Sequence, residues 1–157
     1  PSWLEGYDLT PLLNGEQESI REELFSEVSY HASYEPMRCI RTKRYKLIRR
    51  FESKEEHRGF AFANVDDGLS KAFLLENGWK ETSPDDIQLF DLILDPVERV
   101  NLAGDPAYSK ILEELKERLD HWMVRTNDPL LKGRVPMPKG ARIHKRNCIS
   151  NCESEME

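Results

Sequence analysis

The densest chemistry in the sequence lies between residues 38 and 50, where Arg38, Arg41, Lys43, Arg44, Lys46, Arg49 and Arg50 place seven basic side chains in thirteen positions. Guanidinium groups grip sulfate, carboxylate and phosphate through paired N–H donors, so part of this set can hold an acidic ligand. Equally, the set can line a solvated sheet face and pair with the chain's many acids, which give it a net charge of −6. That net charge argues against general binding to nucleic acid or acidic membranes, and no aromatic pair at RNA-binding spacing accompanies the basic run.

The four histidines and three cysteines show no metal-ligand spacing. Cys148-x-x-x-Cys152 has only His144 nearby and no second pair, so no zinc site is expected. The cysteines themselves admit two readings, a Cys148–Cys152 disulfide with Cys39 as a lone thiol, or three free thiols. His121 follows Glu117 by four residues and reads as an exposed helix residue.

These groups need elements to position them. Leu89 to Leu94 is a short apolar run containing Asp91, and Asp95-Pro96 stops it, so it reads as a strand handing the chain to a helix. Asp105 is suited to accept the free amides of a first helical turn and Pro106 to occupy its first position. Tyr108, Ile111, Leu112, Leu115, Leu119, Trp122 and Met123 then recur on one helical face, and Asn127-Asp128-Pro129 ends it. Met37–Thr42 and Tyr45–Phe51 form an antiparallel hairpin around Thr42-Lys43-Arg44, with Pro36 at the first position of its strand. A helical turn is expected over 17–24, a charged exposed loop over 54–58, and a shorter helix over 69–77 with Phe73 and Leu74 inward and Gly78 as its C-terminal cap. The pattern predicts an α+β fold: a small antiparallel sheet of three to four strands with one long C-terminal helix packed on it.

At 157 residues, with 38% hydrophobic and 33% charged content, the chain has the size of one ordinary domain and no apolar run long enough to span a membrane. It begins Pro-Ser-Trp-Leu-Glu, without the basic start and apolar stretch of a secretion signal.

Four motifs in fixed order carry a resemblance. They are Gly6-Tyr7-Asp8-Leu9 with Pro11-Leu12-Leu13 and Gly15; Glu27 with His31; Pro36-Met37-Arg38-Cys39-Ile40-Arg41-Thr42 with Tyr45-Lys46-Leu47-Ile48; and Leu89-Phe90-Asp91-Leu92 with Pro96, Glu98, Asn101-Leu102, Asp105-Pro106 and Asp128-Pro129. In this order they resemble the C-terminal region of the sulfatase family, in particular the branch that includes heparan N-sulfatase (N-sulfoglucosamine sulfohydrolase), over about residues 6 to 138.

The resemblance implies a four-stranded sheet with a packed helix. It divides the chain into residues 1–16 as the tail end of a catalytic domain, 17–138 as the sulfatase-like C-terminal domain, and 139–157 as a poorly ordered tail. The family's nucleophile, a formylglycine made from the first residue of Cys/Ser-x-Pro-x-Arg, and its calcium ligands fall upstream. In this chain Tyr34-Glu35-Pro36-Met37-Arg38 has the Pro and Arg spacing but a tyrosine at the nucleophile position, so no catalytic residue, metal ligand or cofactor is expected within it.

By the same resemblance Glu27, His31 and Arg38 are the substrate-binding candidates, because that stretch closes one side of a pocket. An imidazole there can donate to sulfate or sugar oxygens. The expected role is to complete the core and one wall of the substrate cleft of a sulfuric ester or sulfamate hydrolase, inactive alone. Its expected partners are the catalytic domain, a sulfated glycan, and a second copy of the chain in a homodimer that covers apolar residues of 1–16. Relatives of this kind are periplasmic, secreted or lysosomal. The alternative is an independent binding module that uses the basic hairpin 38–50 for sulfated glycans or nucleic acid.

Overall fold

The structure, a computed structural model, describes residues 6–52 and 59–152; the charged run expected as a loop over 54–58 lies outside them. Four strands, β1 (Glu23–Tyr30), β2 (Tyr34–Thr42), β3 (Tyr45–Arg50) and β4 (Ile87–Asp91), form one sheet in the order β1-β2-β3-β4. Every neighbouring pair is antiparallel. The helices are α1 (Thr10–Leu13), α2 (Leu69–Glu76) and α3 (Ser109–Arg125). The α+β arrangement expected from the sequence, with one long helix laid on a small antiparallel sheet, is the one formed.

Alternation along the strands decides which side chains meet α3. Phe25 pairs with Ile40, Ile40 with Leu47, and Leu47 with Leu89, so one row crosses all four strands on a single face. Ile40, Leu47 and Leu89 are fully buried against Leu115, Leu119, Trp122 and Met123 of α3, while Tyr108, Ile111 and Leu112 pack around them. The Phe25 and Trp122 rings stack at 5.0 Å between centroids. At the start of the helix the Asp105 carboxylate accepts the Ala107 N–H at 2.9 Å, and the Pro106–Tyr108 turn is 3-10 before α3 proper begins.

Several expectations are corrected. The helical turn over 17–24 is absent: Ser19 Oγ bonds to the Arg21 backbone, a local competitor of helical bonding, and Glu23 and Leu24 instead open β1. Pro36 is the third residue of β2, not the first, and lies where the β1–β2 register shifts between Val28 and Tyr30. Such an irregularity relieves a central strand of the donor that proline lacks. The strand expected over 89–94 stops at Asp91, whose carboxylate accepts the N–H groups of Ile93 and Leu94 and so turns the chain.

In α2, Phe73 and Leu74 face outward. The inward position belongs to Lys71, whose ammonium donates to the Val65 carbonyl and the Asp67 carboxylate, a reach that a long side chain allows and a periodicity count does not show. Gly78 does cap α2, in the left-handed conformation at φ 90°. Residues 139–157 were expected to be poorly ordered; the described part, up to residue 152, packs back on the body with Ile143, His144 and Cys148 buried. All three cysteines are free thiols.

Truncating Leu115 or Trp122 to alanine removes a large apolar group from the closed helix–sheet layer and should lower unfolding stability by about 2–5 kcal/mol. A chemical-denaturation midpoint unmoved by both substitutions would show that the layer is assigned wrongly.

Candidate functional site

The end of the sheet where β1 turns into β2 holds the three substrate-binding candidates, in different settings. Glu27 pairs with Arg38 across the β1–β2 ladder, and its half-exposed carboxylate lies 3.4 Å from Arg38 Nε. His31 sits in the β1–β2 turn with its side chain exposed and its backbone N–H bonded to the Ser33 carbonyl. Arg38 is 1% exposed. Its Nε and Nη2 donate to both oxygens of Asp128 at 2.5 and 2.9 Å. Its Nη1 donates to the Val28 and Met37 carbonyls, and Nη2 also to Ser29 Oγ. A guanidinium has five N–H donors, and these bonds use all of them. Arg38 therefore has no donor left for a substrate and acts as a clamp between β1, β2 and the chain beyond α3.

Most of the other basic residues of the hairpin are likewise engaged with acids. Arg44 pairs with Asp91, Lys46 with Glu98, Arg49 with Asp120 on α3, and Arg50 with Glu35. Arg41 and Lys43 remain exposed at the turn. Hydrogen bonding from Arg44 holds the Asp91 carboxyl below the ordinary carboxylate range despite some burial. For Asp128, burial pushes the carboxyl up, but the bonds from Arg38 and the Leu130 N–H outweigh it, and the group ends below its ordinary value.

A second charged cluster lies beside the first. Glu35 accepts Arg50 Nη1 at 2.9 Å and Asn64 Nδ2 at 2.9 Å. Arg146 donates from Nη1 to the Tyr34 carbonyl, and from Nη2 to Glu52 Oε2 at 2.7 Å and to the Gly59 carbonyl. The sequence reading missed Asp128, Glu35, Glu52 and Arg146 as charged partners. One signal was available: Arg38 stands two residues before Ile40 on the core face of β2, and a buried guanidinium demands a carboxylate somewhere. Which carboxylate answers is set by the way the chain turns after α3.

Among the described residues no three His, Cys, Asp or Glu side chains gather so as to hold a metal ion. Nor is any helix there long and apolar enough to cross a membrane.

The result is a two-layer α+β module whose charges are engaged mostly with one another, with a histidine and a carboxylate left exposed at one end. No protein-family model matches the chain. Its sequence is nonetheless similar to those of sulfatases, in line with the resemblance to the C-terminal region of that family. It is 29% identical over 143 residues to an ulvan-active sulfatase of Formosa agariphila, covering 88% of this chain and 28% of that protein. To the N-sulphoglucosamine sulphohydrolase of Homo sapiens it is 28% identical over 139 residues, covering 80% and 27%. A solved 2-O GAG sulfatase superimposes with a TM-score of 0.57 at 28% identity, over 88% of this chain and 24% of its own. The chain thus spans about a quarter of the length of the sulfatases it matches.

Breaking the Arg38–Asp128 pair leaves an uncompensated buried charge, so Asp128→Ala should cost about 3–5 kcal/mol in denaturant unfolding. The pair also has a pH signature. Because the folded-state value of Asp128 lies below its unfolded value, its stabilisation is present above about pH 4 and is lost as pH falls through the folded value. Acid titration of the wild type and of Asp128→Asn should show the wild type losing stability more steeply below about pH 4; parallel acid limbs would rule this out.

Proposed function

We propose that this chain serves as the C-terminal domain of a sulfatase-family hydrolase of sulfated glycans. It completes the core and one wall of the substrate cleft and supplies no nucleophile. The observation that carries this reading is the alignment of 88% of the chain with only 28% of a sulfatase, joined to a fold in which the motif residues hold the sheet together. In this reading the β1–β2 turn is the wall. His31 and Glu27 are its exposed polar groups, and Arg38 is the residue that positions them. The exposed apolar side chains Tyr7, Leu9 and Leu13 form part of the surface that the catalytic domain covers.

The engagement of Arg38, Arg44, Lys46, Arg49 and Arg50 with acidic partners supports this reading over an independent module that grips polyanions through the hairpin. Basic groups already paired with carboxylates have little left to offer a polyanionic ligand.

Sulfate-ester hydrolysis by this family requires an activated nucleophile, which no residue of the chain matches. The purified chain should therefore show no turnover of 4-nitrophenyl sulfate or N-sulfoglucosamine above a buffer blank, with or without calcium. Turnover that disappears in His31→Ala would overturn the assignment. Tight, salt-sensitive retention on heparin that is lost when Arg41 and Lys43 are replaced would favour the binding module instead.

A further inference from the structure

The segment 141–152 lies across the sheet end and closes over four charged side chains, Glu35 of β2, Arg50 of β3, Glu52 just beyond it, and its own Arg146. It is held there by a few specific bonds. The His144 N–H donates to the Ala32 carbonyl at 2.8 Å. Ser150 Oγ bonds to Asp67, and Asn151 Nδ2 donates to Asp66 at 3.3 Å. Arg146 reaches inward to Glu52, the Tyr34 carbonyl and the Gly59 carbonyl.

The cluster is imperfectly satisfied. Glu52 Oε2 has its bond from Arg146, but among the described residues Glu52 Oε1 is buried without a hydrogen-bond partner, as are the Nε atoms of Arg50 and Arg146. An ionised carboxylate with one oxygen buried and unanswered is undersolvated, whereas a protonated carboxyl in the same place loses much less.

We propose that residues 141–152 act as a pH-responsive strap, closed more firmly over the Glu35–Arg50–Glu52–Arg146 cluster in mildly acidic than in neutral or alkaline solution. Glu52 is the titrating group. Among the described residues it is faced by Arg146 from the strap, Glu35 from β2, Arg50 from β3 and Arg134 from the segment after α3. Burial is the largest influence on Glu52; with Glu35 adding to it and the arginines only partly offsetting it, its pKa rises from the ordinary 4.5 to about 7.

The direction follows by linkage. When the strap opens, Glu52 meets water and returns toward its ordinary value, so the closed form binds the extra proton. The resulting preference for closure is fully present below pH 4.5 and is lost as pH rises through about 7. Acid therefore tightens this strap, although protonation weakens the Glu52–Arg146 ion pair, because relief of the buried charge is the larger effect.

Amide hydrogen exchange of the full chain from pH 5 to 8, expressed as protection factors so that intrinsic exchange is removed, tests this directly. Protection at the His144 and Cys148 amides should fall about tenfold or more with rising pH, one pKa unit of coupling being worth a factor of ten. The Leu47 amide in the sheet should change less. In Glu52→Gln, protection at His144 should be flat across the range and at least as high as in the wild type at pH 5. The side-chain carboxyl carbon of Glu52, followed by NMR in the wild type, should titrate with the same midpoint as the loss of protection, a readout that holds even if the variant does not fold. Wild-type protection that is flat or rises with pH, a slope that survives in Glu52→Gln, or a Glu52 midpoint well away from the exchange transition would each overturn the proposal.

Discussion

A guanidinium buried in the seam between a sheet and its covering helix tolerates few solutions, and the Arg38–Asp128 pair is the one this chain adopts. Arg38 shares its face of β2 with Ile40, at the heart of the apolar layer, so its charge must be matched and every N–H must find an acceptor. Asp128 supplies both oxygens only because α3 ends at Arg125 and Asn127 takes a positive φ of 52°, which turns the chain back under the sheet. From that fixed point residues 129–152 run along the β1–β2 end. Tyr30 donates to the Val135 carbonyl there, and Arg134 lies over the Tyr34 ring. The pair thus starts this polar stretch toward the sheet, where the bonds of Tyr30, His144 and Arg146 continue to hold it.

The run from Leu89 to Leu102, which carries much of the family resemblance, works in the same manner. Its polar residues each close a local problem of backbone or charge. Asp91 answers Arg44 and caps the turn after β4. Asp95 accepts the Val100 N–H, and Glu98 pairs with Lys46. Asn101 accepts the Leu89 N–H and donates to the Ile87 carbonyl, satisfying backbone groups along the free edge of β4. An exposed strand edge is otherwise a template for unwanted pairing. A motif can thus mark a family by its architecture and carry no reacting group. This is why the resemblance fixes the fold of the domain more firmly than the identity of any substrate.

Two charged clusters at one end of the sheet have different characters. Around Arg38 every donor is answered and the carboxyl of its partner is held low, so the cluster stays locked except in acid. Around Glu52 the partners are incomplete and burial dominates, so the balance between charged and neutral forms falls near neutral pH. The first fixes the frame, and the second leaves the last described segment responsive.

Much of this was legible in the sequence. The apolar stripe from Tyr108 to Met123, the Asp105-Pro106 start and the hairpin around residues 43 and 44 come from periodicity and local hydrogen bonding, which act over a few residues and so survive in the linear order. The expected α+β layer followed from them. Charge pairing did not, because it joins residues 90 positions apart in Arg38–Asp128 and 94 apart in Glu52–Arg146, and no local rule selects one carboxylate among many. The same limit explains Arg38, read as a substrate ligand and found as a buried clamp. It also explains residues 139–152, whose polar composition foretold poor order until the fold placed carboxylates where Arg146 could meet them. Propensity and pattern decided which elements form; only the closed tertiary structure decided which charges are structural, because the cost of burying a charge is set by what surrounds it.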